Sequence, residues 1–183
     1  MNIDATPIEG LAVASGGARA DQRGSFARLF CERELAPVIG ARRIVQSNLS
    51  RTNAVGAVRG LHFQHPPHAE MKLVRCLRGR VLDVAVDLRA GSATFLQWFG
   101  EELTPGNGRM MIIPEGFAHG FQVLEPDSEM LYLHTAFYDA PSEGGLRYND
   151  PRLAIDWPLP AVDLSERDQH HRLIPTDFAG ITL

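Results

Sequence analysis

Hydrophobic and polar residues alternate with a period of two along the middle of the chain. Over residues 81–88, one set of alternate positions holds only Leu and Val, and the other holds Val, Asp, Ala and Asp. This alternation is typical of a strand with one face in the core. Segments 95–103, 109–113, 120–124 and 129–137 also read as strands, separated by turns rich in Gly, Pro, Asn and Asp. Short strands between such turns predict an all-β sandwich or barrel.

Helical patterns are confined to the two ends of the chain. Segment 31–39 predicts a short helix that ends near Pro37 or Gly40, because proline interrupts helices and glycine terminates them. Ser165 is a favourable N-cap, and Glu166 and Asp168 follow it in the first turn of a second helix. No linker divides the sequence, so we expect a single domain over residues 1–183.

Composition excludes several classes of protein. The 183 residues include 18 Lys and Arg against 22 Asp and Glu, a formal net charge of −4, which predicts no general affinity for nucleic acid or for anionic membranes. Two cysteines are too few for a disulfide framework. No apolar stretch approaches the roughly 20 residues of a membrane span, and the first residues lack the basic and apolar regions of a signal peptide. We therefore expect a cytoplasmic protein.

One segment in the second half of the chain resembles a signature of the cupin barrels. Its fixed positions are Gly108, Pro114, Gly116 and His119. The family pattern ends with Asn after three intervening residues, where this chain has Val123. In cupins, the glycines and the proline shape a turn between strands, and the histidine points into the barrel. The resemblance implies a cupin, or jelly-roll, β-barrel with a few short peripheral helices.

The other cupin signature is present without its full set of metal ligands. Gly56, His62 and Gly79 match it, but Gln64 replaces the second histidine and Lys72 stands in place of the ligand glutamate. Protein metal sites of this kind use neutral imidazoles and carboxylates. An ammonium group replaces an electron donor with a positive charge, so we predict no metal and no cofactor.

A barrel interior with His, Lys, Tyr and Asp side chains suits proton abstraction beside a carbonyl group. A base removes the acidic proton, a cation stabilises the enolate oxygen, and an acid on the opposite face returns a proton. Protonation on opposite faces inverts the carbon, so this set of side chains indicates epimerisation.

Five motifs, taken in order, resemble the dTDP-4-dehydrorhamnose 3,5-epimerases. They span residues 59–64, 72–75, 83–89, 113–121 and 164–168, and the match extends from Asp21 to Asp168. The resemblance implies a nucleoside-diphosphate 4-keto-6-deoxyhexose as substrate, with dTDP as the expected nucleotide. It also implies a role in deoxysugar biosynthesis, no cofactor, and a homodimer whose N-terminal strands reach the partner's site.

The resemblance implies a role for each catalytic residue. His62 corresponds to the general base and Asp168 to the carboxylate that hydrogen-bonds it. Lys72 corresponds to the cation near the keto oxygen, and we expect Asp83 to form an ion pair with it inside the barrel. Tyr132 corresponds to the proton donor opposite the base.

Substrate contacts are implied at seven further positions. Arginine forks suit a diphosphate, and aromatic rings suit the nucleotide base. The corresponding residues are Arg23 and Arg59 for the diphosphate, Gln46 and Asn48 near the site, His119 along the sugar pocket, and Phe26 and Tyr138 around the base.

Five residues depart from the family pattern without removing a catalytic group. Arg28 replaces a usual glutamate, Glu70 a glutamine, Leu133 a lysine, His134 a small residue and Leu49 a frequent histidine. These departures leave open which nucleotide is bound and which carbons are inverted.

Three alternatives remain beside the 3,5-epimerase. The first is an epimerase that inverts one carbon only, which would use the same base. The second is a non-catalytic sugar-nucleotide-binding cupin, disfavoured by the intact catalytic set. The third is a metal-dependent cupin oxygenase, disfavoured by Lys72 at a ligand position.

Overall fold

The computed structural model describes all residues, 1–183, and consists mainly of β-strands. The helices are α1 (Glu32–Ile39) and α2 (Glu166–His170), with one 3₁₀ turn at Ala140–Ser142. The strands up to residue 78 are β1 (Asn2–Ala5), β2 (Ala12–Ser15), β3 (Arg19–Asp21), β4 (Gly24–Phe26), β5 (Gln46–Thr52), β6 (Val58–Gln64) and β7 (Lys72–Arg78). The later strands are β8 (Val81–Asp87), β9 (Trp98–Leu103), β10 (Arg109–Ile113), β11 (Phe117–Val123), β12 (Ser128–His134) and β13 (Glu143–Gly145).

Two antiparallel sheets contain eleven of these strands. The larger sheet has the order β1-β2-β10-β7-β12-β5, and the smaller has the order β13-β6-β11-β8-β9. Strands distant in the sequence therefore lie side by side, as β7 does between β10 and β12. The sheets pack face to face around a common core, which confirms the predicted all-β jelly roll.

The main core lies between the two sheets and follows the strand alternation. Val74 and Met130 project into it from the larger sheet, and Val81, Ala85 and Phe121 project from the smaller one. All five are at most 2 % exposed. Because side chains two apart share a face, each of these residues identifies the inward face of its strand.

The outer faces of both sheets are also covered. Helix α1 buries Leu35 and Ile39 against Leu73 and Leu133 on the outside of the larger sheet. The C-terminal segments cover the outside of the smaller sheet, where Ile174 belongs to the same buried cluster as residues of β6 and β8. Neither helix has the length and apolar character needed to cross a membrane.

Several predicted boundaries are wrong at one end. The strand predicted from residue 95 begins at Trp98, because hydrogen-bonded turns and a positive φ of 63° at Leu96 occupy the preceding residues. The strand predicted to residue 137 ends at His134. The end of helix α1 agrees with one of its two predicted positions, since the helix continues through Pro37 and ends before Gly40, whose φ is 58°.

Strands β3 and β4 form a separate hairpin beside the two sheets. All six of its strand residues are exposed. Phe26, at the end of this hairpin, is 76 % exposed, an unusual position for a large aromatic side chain. In a single chain, the hairpin therefore contributes nothing to the core.

Two glycines allow β6 and β11 to approach each other closely. A Cβ atom on Gly120 would lie 2.7 Å from the backbone oxygen of Arg59, and one on Gly60 would lie 2.6 Å from the Gly120 Cα atom. The register between the strands also shifts between His119 and Phe121. This contact sets the relative positions of His62 and His119, which face each other in the pairing.

We predict that Gly120→Ala destabilises the fold by about 1–3 kcal/mol, the usual cost of overpacking a core. The added methyl group would meet backbone atoms, which cannot rotate away. Urea unfolding of the purified protein measures the change. Gly17→Ala is the matched control, since a Cβ there has no neighbour within 4 Å, and equal stability of the two variants would contradict the prediction.

Candidate active site

Side chains from both sheets meet in a cavity of about 280 Å³ between them. The alternation along each strand places these side chains on its inner face. The residues on either side of His62 in β6 pack on the outer face of the smaller sheet, and those on either side of Tyr132 in β12 pack with α1 on the outer face of the larger sheet. The predicted site residues that line the cavity are Gln46, Asn48, Arg59, His62, Lys72, His119, Tyr132 and Tyr138.

His62 is held by a buried carboxylate from the C-terminal helix. Its Nε2 lies 2.8 Å from Asp168 Oδ1, and the second oxygen of Asp168 accepts a hydrogen bond from the Gly60 backbone N–H at 3.1 Å. Ser165 Oγ caps the helix by accepting from the Asp168 backbone N–H at 3.1 Å. The predicted N-cap is thus present, and it places Asp168 against β6.

Asp168 is ionised and fixes the tautomer of the imidazole. Burial alone would raise its pKa, but the hydrogen bond and charge of His62, together with the Gly60 N–H, hold the pKa of Asp168 well below its usual range. A carboxylate only accepts hydrogen bonds, so His62 Nε2 carries the proton that points to it. The Nδ1 atom of neutral His62 is then the nitrogen that can accept a proton.

Arg167 is a cavity residue that the sequence analysis missed. Its Nε lies 3.3 Å from Asp168 Oδ1. One guanidinium nitrogen lies 2.9 Å from His62 Nε2, a close approach of two donors, since Nε2 directs its proton to Asp168 and a guanidinium has no acceptor. A third contact, of 2.8 Å, joins Arg167 to Glu143. Half of the side chain is exposed, and a lone Arg beside a helix cap gives no sequence signal that separates it from a surface residue.

Lys72 has a different partner from the predicted one. Its Nζ is 3.3 Å from Glu70 Oε1 and donates to the backbone oxygen of His62, also at 3.3 Å. The predicted ion pair between Lys72 and Asp83 is wrong, because Asp83 Oδ1 is bonded to His119 Nε2 at 2.7 Å. Alternation gives the face that a side chain occupies, but not its nearest neighbour on that face.

Asp83 and His119 form a buried pair, in which His119 lines the cavity and Asp83 lies behind it. Asp83 is fully buried and His119 is 5 % exposed. Burial raises the pKa of Asp83, and the charges of His119 and Lys72 oppose this rise without cancelling it. Asp83 does not line the cavity; it orients His119, whose ring lies edge-on to Tyr132 with 6.1 Å between centroids.

Tyr132 presents a protonated hydroxyl from the larger sheet. Its oxygen is 3.1 Å from Ser50 Oγ on the neighbouring strand β5. Burial is the main cause that raises the pKa of Tyr132 above its ordinary value. The hydroxyl therefore retains its proton at neutral pH, as a proton donor must.

The remaining cavity residues form a polar rim. Arg59 donates to Thr52 Oγ1 at 3.3 Å. Gln46 Oε1 accepts from the Tyr138 backbone N–H at 3.2 Å, and the Tyr138 hydroxyl is 3.2 Å from Glu143 Oε2. This rim is open to solvent, since Tyr138 is 58 % exposed.

Arg23 and Phe26 are not brought to the cavity of their own chain. Both lie on the exposed hairpin, and the guanidinium of Arg23 bonds Asp21, a neighbour in the same turn, at 2.6 Å. The hydrogen bond to Asp21 raises the pKa of Arg23, so the guanidinium is charged. A single chain thus contains one of the two predicted diphosphate arginines in its cavity.

The five departures from the family pattern fall into two groups. Arg28 pairs with Glu34, and Leu133 packs on the outer face of the larger sheet, so neither contributes to the cavity. The other three line the cavity: Leu49, Glu70 and His134. Glu70 and His134 are joined by a 2.7 Å hydrogen bond.

The potential metal ligands are engaged elsewhere. The side-chain amide of Gln64 bonds three backbone groups, of His68, Phe137 and Asp139, at 2.7 to 3.2 Å. His62, Asp168 and His171 offer ligand atoms within 4.8 Å of one another. However, the Arg167 guanidinium contacts two of these three residues, and a fixed positive charge opposes a metal cation there.

Comparison with known proteins gives consistent matches over most of the chain. The model of the dTDP-4-dehydrorhamnose 3,5-epimerase family matches residues 5–175. A dTDP-4-dehydrorhamnose 3,5-epimerase of Pseudomonas aeruginosa is 49 % identical over 151 residues, 81 % of this chain and 82 % of that protein. A dTDP-4-dehydrorhamnose 3-epimerase of Streptomyces niveus is 39 % identical over 175 residues, 95 % of this chain and 84 % of that protein.

A solved structure shares the fold throughout. The dTDP-6-deoxy-D-glucose-3,5-epimerase of Legionella pneumophila, in complex with dTDP-4-keto-L-rhamnose, is 41 % identical. It superposes with a TM-score of 0.91 and covers 98 % of this chain and 97 % of its own. Together with the family match over 171 of 183 residues (5 to 175), this establishes that the chain belongs to the dTDP-4-dehydrorhamnose 3,5-epimerase family.

Proposed function

We propose that this protein inverts C3 and C5 of a dTDP-linked 4-keto-6-deoxyhexose. The observation that carries the proposal is the carboxylate-bound His62, which shares one cavity with Tyr132 and Lys72. Family membership and the ligand of the Legionella pneumophila relative support the class of substrate.

In the proposed reaction, His62 Nδ1 removes the proton beside the ketone. The electron pair of the broken C–H bond forms a carbon–carbon double bond, and the carbonyl oxygen becomes an enolate. The Lys72 ammonium stabilises that oxygen, and Asp168 stabilises the imidazolium that forms.

Tyr132 then completes the inversion from the other face. Its hydroxyl proton passes to the carbon as the enolate returns to the ketone, which leaves a tyrosinate and an imidazolium. Proton exchange with solvent restores both groups. Each inversion therefore introduces a solvent proton into the sugar, which makes the reaction visible in heavy water.

A second candidate is inversion at C3 alone. The specific observation in its favour is the 3-epimerase of Streptomyces niveus, which matches 95 % of this chain. The same experiment separates the two: incubation with dTDP-4-keto-6-deoxyglucose in heavy water, with NMR to locate deuterium. Label at C3 and C5 supports the double inversion, and label at C3 only supports the single inversion. Absence of label at both carbons would refute an epimerase.

We predict that His62→Gln slows deuterium incorporation by about 10²–10⁴-fold, the usual contribution of a positioned base. The glutamine amide can still donate to Asp168, so affinity for dTDP, measured by calorimetry, stays near that of the wild type. His170→Ala is the control, because His170 is an exposed histidine on the same helix as Asp168. Exchange at the wild-type rate in His62→Gln would exclude His62 as the base.

Tyr132→Phe is expected to separate proton removal from inversion. The variant keeps the ring and deletes the hydroxyl, so it loses most epimerised product. It still exchanges a substrate proton with retention, since His62 can return a solvent-derived proton to the original face. NMR of the recovered sugar distinguishes the two outcomes, and Tyr148→Phe, outside the cavity, is the matched control. Normal epimerisation by Tyr132→Phe would assign the acid to another group.

We also propose that the exposed hairpin completes the cavity of a second copy of the chain. Arg23 bears a charge with no role in its own cavity. If it binds the diphosphate in the partner's site, Arg23→Ala and His62→Gln fall in the same site of a mixed dimer, and the other site is intact.

Equal mixing of inactive Arg23→Ala and His62→Gln chains should therefore restore about one quarter of wild-type activity, because half of a random dimer population is mixed and each mixed dimer has one intact site. Refolding the mixture and assaying the product tests this. Mixed dimers that form but remain inactive would show that each site uses its own chain only.

A further inference from the structure

Glu70 lies between two basic side chains in the wall of the cavity. Its Oε1 is 3.3 Å from Lys72 Nζ, and its Oε2 is 2.7 Å from His134 Nδ1. The three side chains, here called the Glu70 triad, are between 8 and 12 % exposed. Each carboxylate oxygen of Glu70 thus has its own partner, and the two partners come from adjacent strands, β7 and β12.

The triad is fixed at both ends by further contacts. Lys72 Nζ also donates to the backbone oxygen of His62, which links the triad to the strand that carries the candidate base. The His134 ring is stacked on Tyr132, with 6.1 Å between centroids and an angle of 16°, and its Nε2 is 3.4 Å from Asn48 Nδ2. The triad therefore contacts both the candidate base strand and the candidate acid.

Glu70 is ionised in this setting. Burial would raise its pKa, but the hydrogen bond with His134 and the charge of Lys72 outweigh burial and lower the pKa of Glu70. The negative charge of Glu70 therefore lies 3.3 Å from the Lys72 ammonium in the cavity wall.

Glu70 is the charged group that bonds His134 directly. Lys72 faces it from β7, and Tyr132 lies beside it on β12. Strand β5 contributes the uncharged Gln46 and Asn48. Across the cavity, β6 and β11 contribute Arg59, His62 and His119, and the C-terminal half of the chain contributes Glu143, Tyr138 and Arg167.

The carboxylate and the imidazole of the triad, Glu70 and His134, are both departures from the family pattern. Glu70 stands in place of a glutamine, and His134 in place of a small residue. The structure joins these two replacements by a hydrogen bond. A carboxylate and an imidazole are complementary replacements, since either one alone would leave a buried group without its partner.

We propose that Glu70 is a positioning residue that aims the Lys72 ammonium at the ketone oxygen, and that His134 holds the second oxygen of Glu70 in place. The inference rests on the proposed epimerase function and deepens it. Lys72 has three N–H donors, of which one is directed to Glu70 and one to the backbone oxygen of His62. These two contacts fix the direction of the third N–H, which is left for the enolate oxygen.

Steady-state kinetics on dTDP-4-keto-6-deoxyglucose, across a range of pH, tests the positioning role. Glu70→Ala releases Lys72 and should lower kcat by about 10- to 100-fold, the scale expected for a misplaced group, with KM little changed. Glu70→Gln should recover most of this loss, because its amide oxygen can accept from Lys72 and its NH₂ can donate to neutral His134. Glu102→Gln, a carboxylate paired with Arg80 on the surface, is the control.

The outcomes are distinguishable from failure of the proposed function. Wild-type kcat in Glu70→Ala, or a Glu70→Gln variant as impaired as Glu70→Ala, would overturn the positioning role. Absence of deuterium in the sugar after incubation with the wild type would overturn the epimerase function itself.

Discussion

The hydrogen bond between His62 and Asp168 joins two parts of the chain that are 106 residues apart. Helix α2 has only five residues, too few to be stable in isolation, so its position depends on what its side chains contact. Asp168 holds both the imidazole of His62 and the backbone N–H of Gly60. One carboxylate thus fixes the C-terminal helix, strand β6 and the tautomer of the candidate base.

A second constraint is the balance of charge inside the barrel. A buried charge without a partner is costly, and the interior of this barrel pairs its ionisable groups separately. Asp83 is bonded to His119, and Glu70 to both Lys72 and His134. This division leaves Asp83 behind the wall, where it orients the His119 ring, and the Glu70 triad in the wall, where the Lys72 charge reaches the cavity.

The strand alternation predicted β8 with one face in the core, and the family resemblance supplied eight of the residues that line the cavity. The partner of Lys72 could not be predicted, because a period of two fixes the face of a strand and not the distance between side chains on different strands. Arg167 was missed for a related reason: its role depends on where α2 packs. Glu70 and His134 were visible only as two unrelated departures, and their hydrogen bond depends on the pairing of β7 with β12.

The charges of the cavity support the proposal that a second copy of the chain contributes to substrate binding. Glu70 engages Lys72, and Glu143 and Asp168 engage Arg167. Arg59 is the cavity cation that has no carboxylate partner and donates only to a threonine hydroxyl. A diphosphate brings two negative charges that favour bidentate guanidinium partners. One uncommitted arginine meets half of that demand, and in the proposed dimer Arg23, on a fully exposed hairpin, supplies the rest from a second copy.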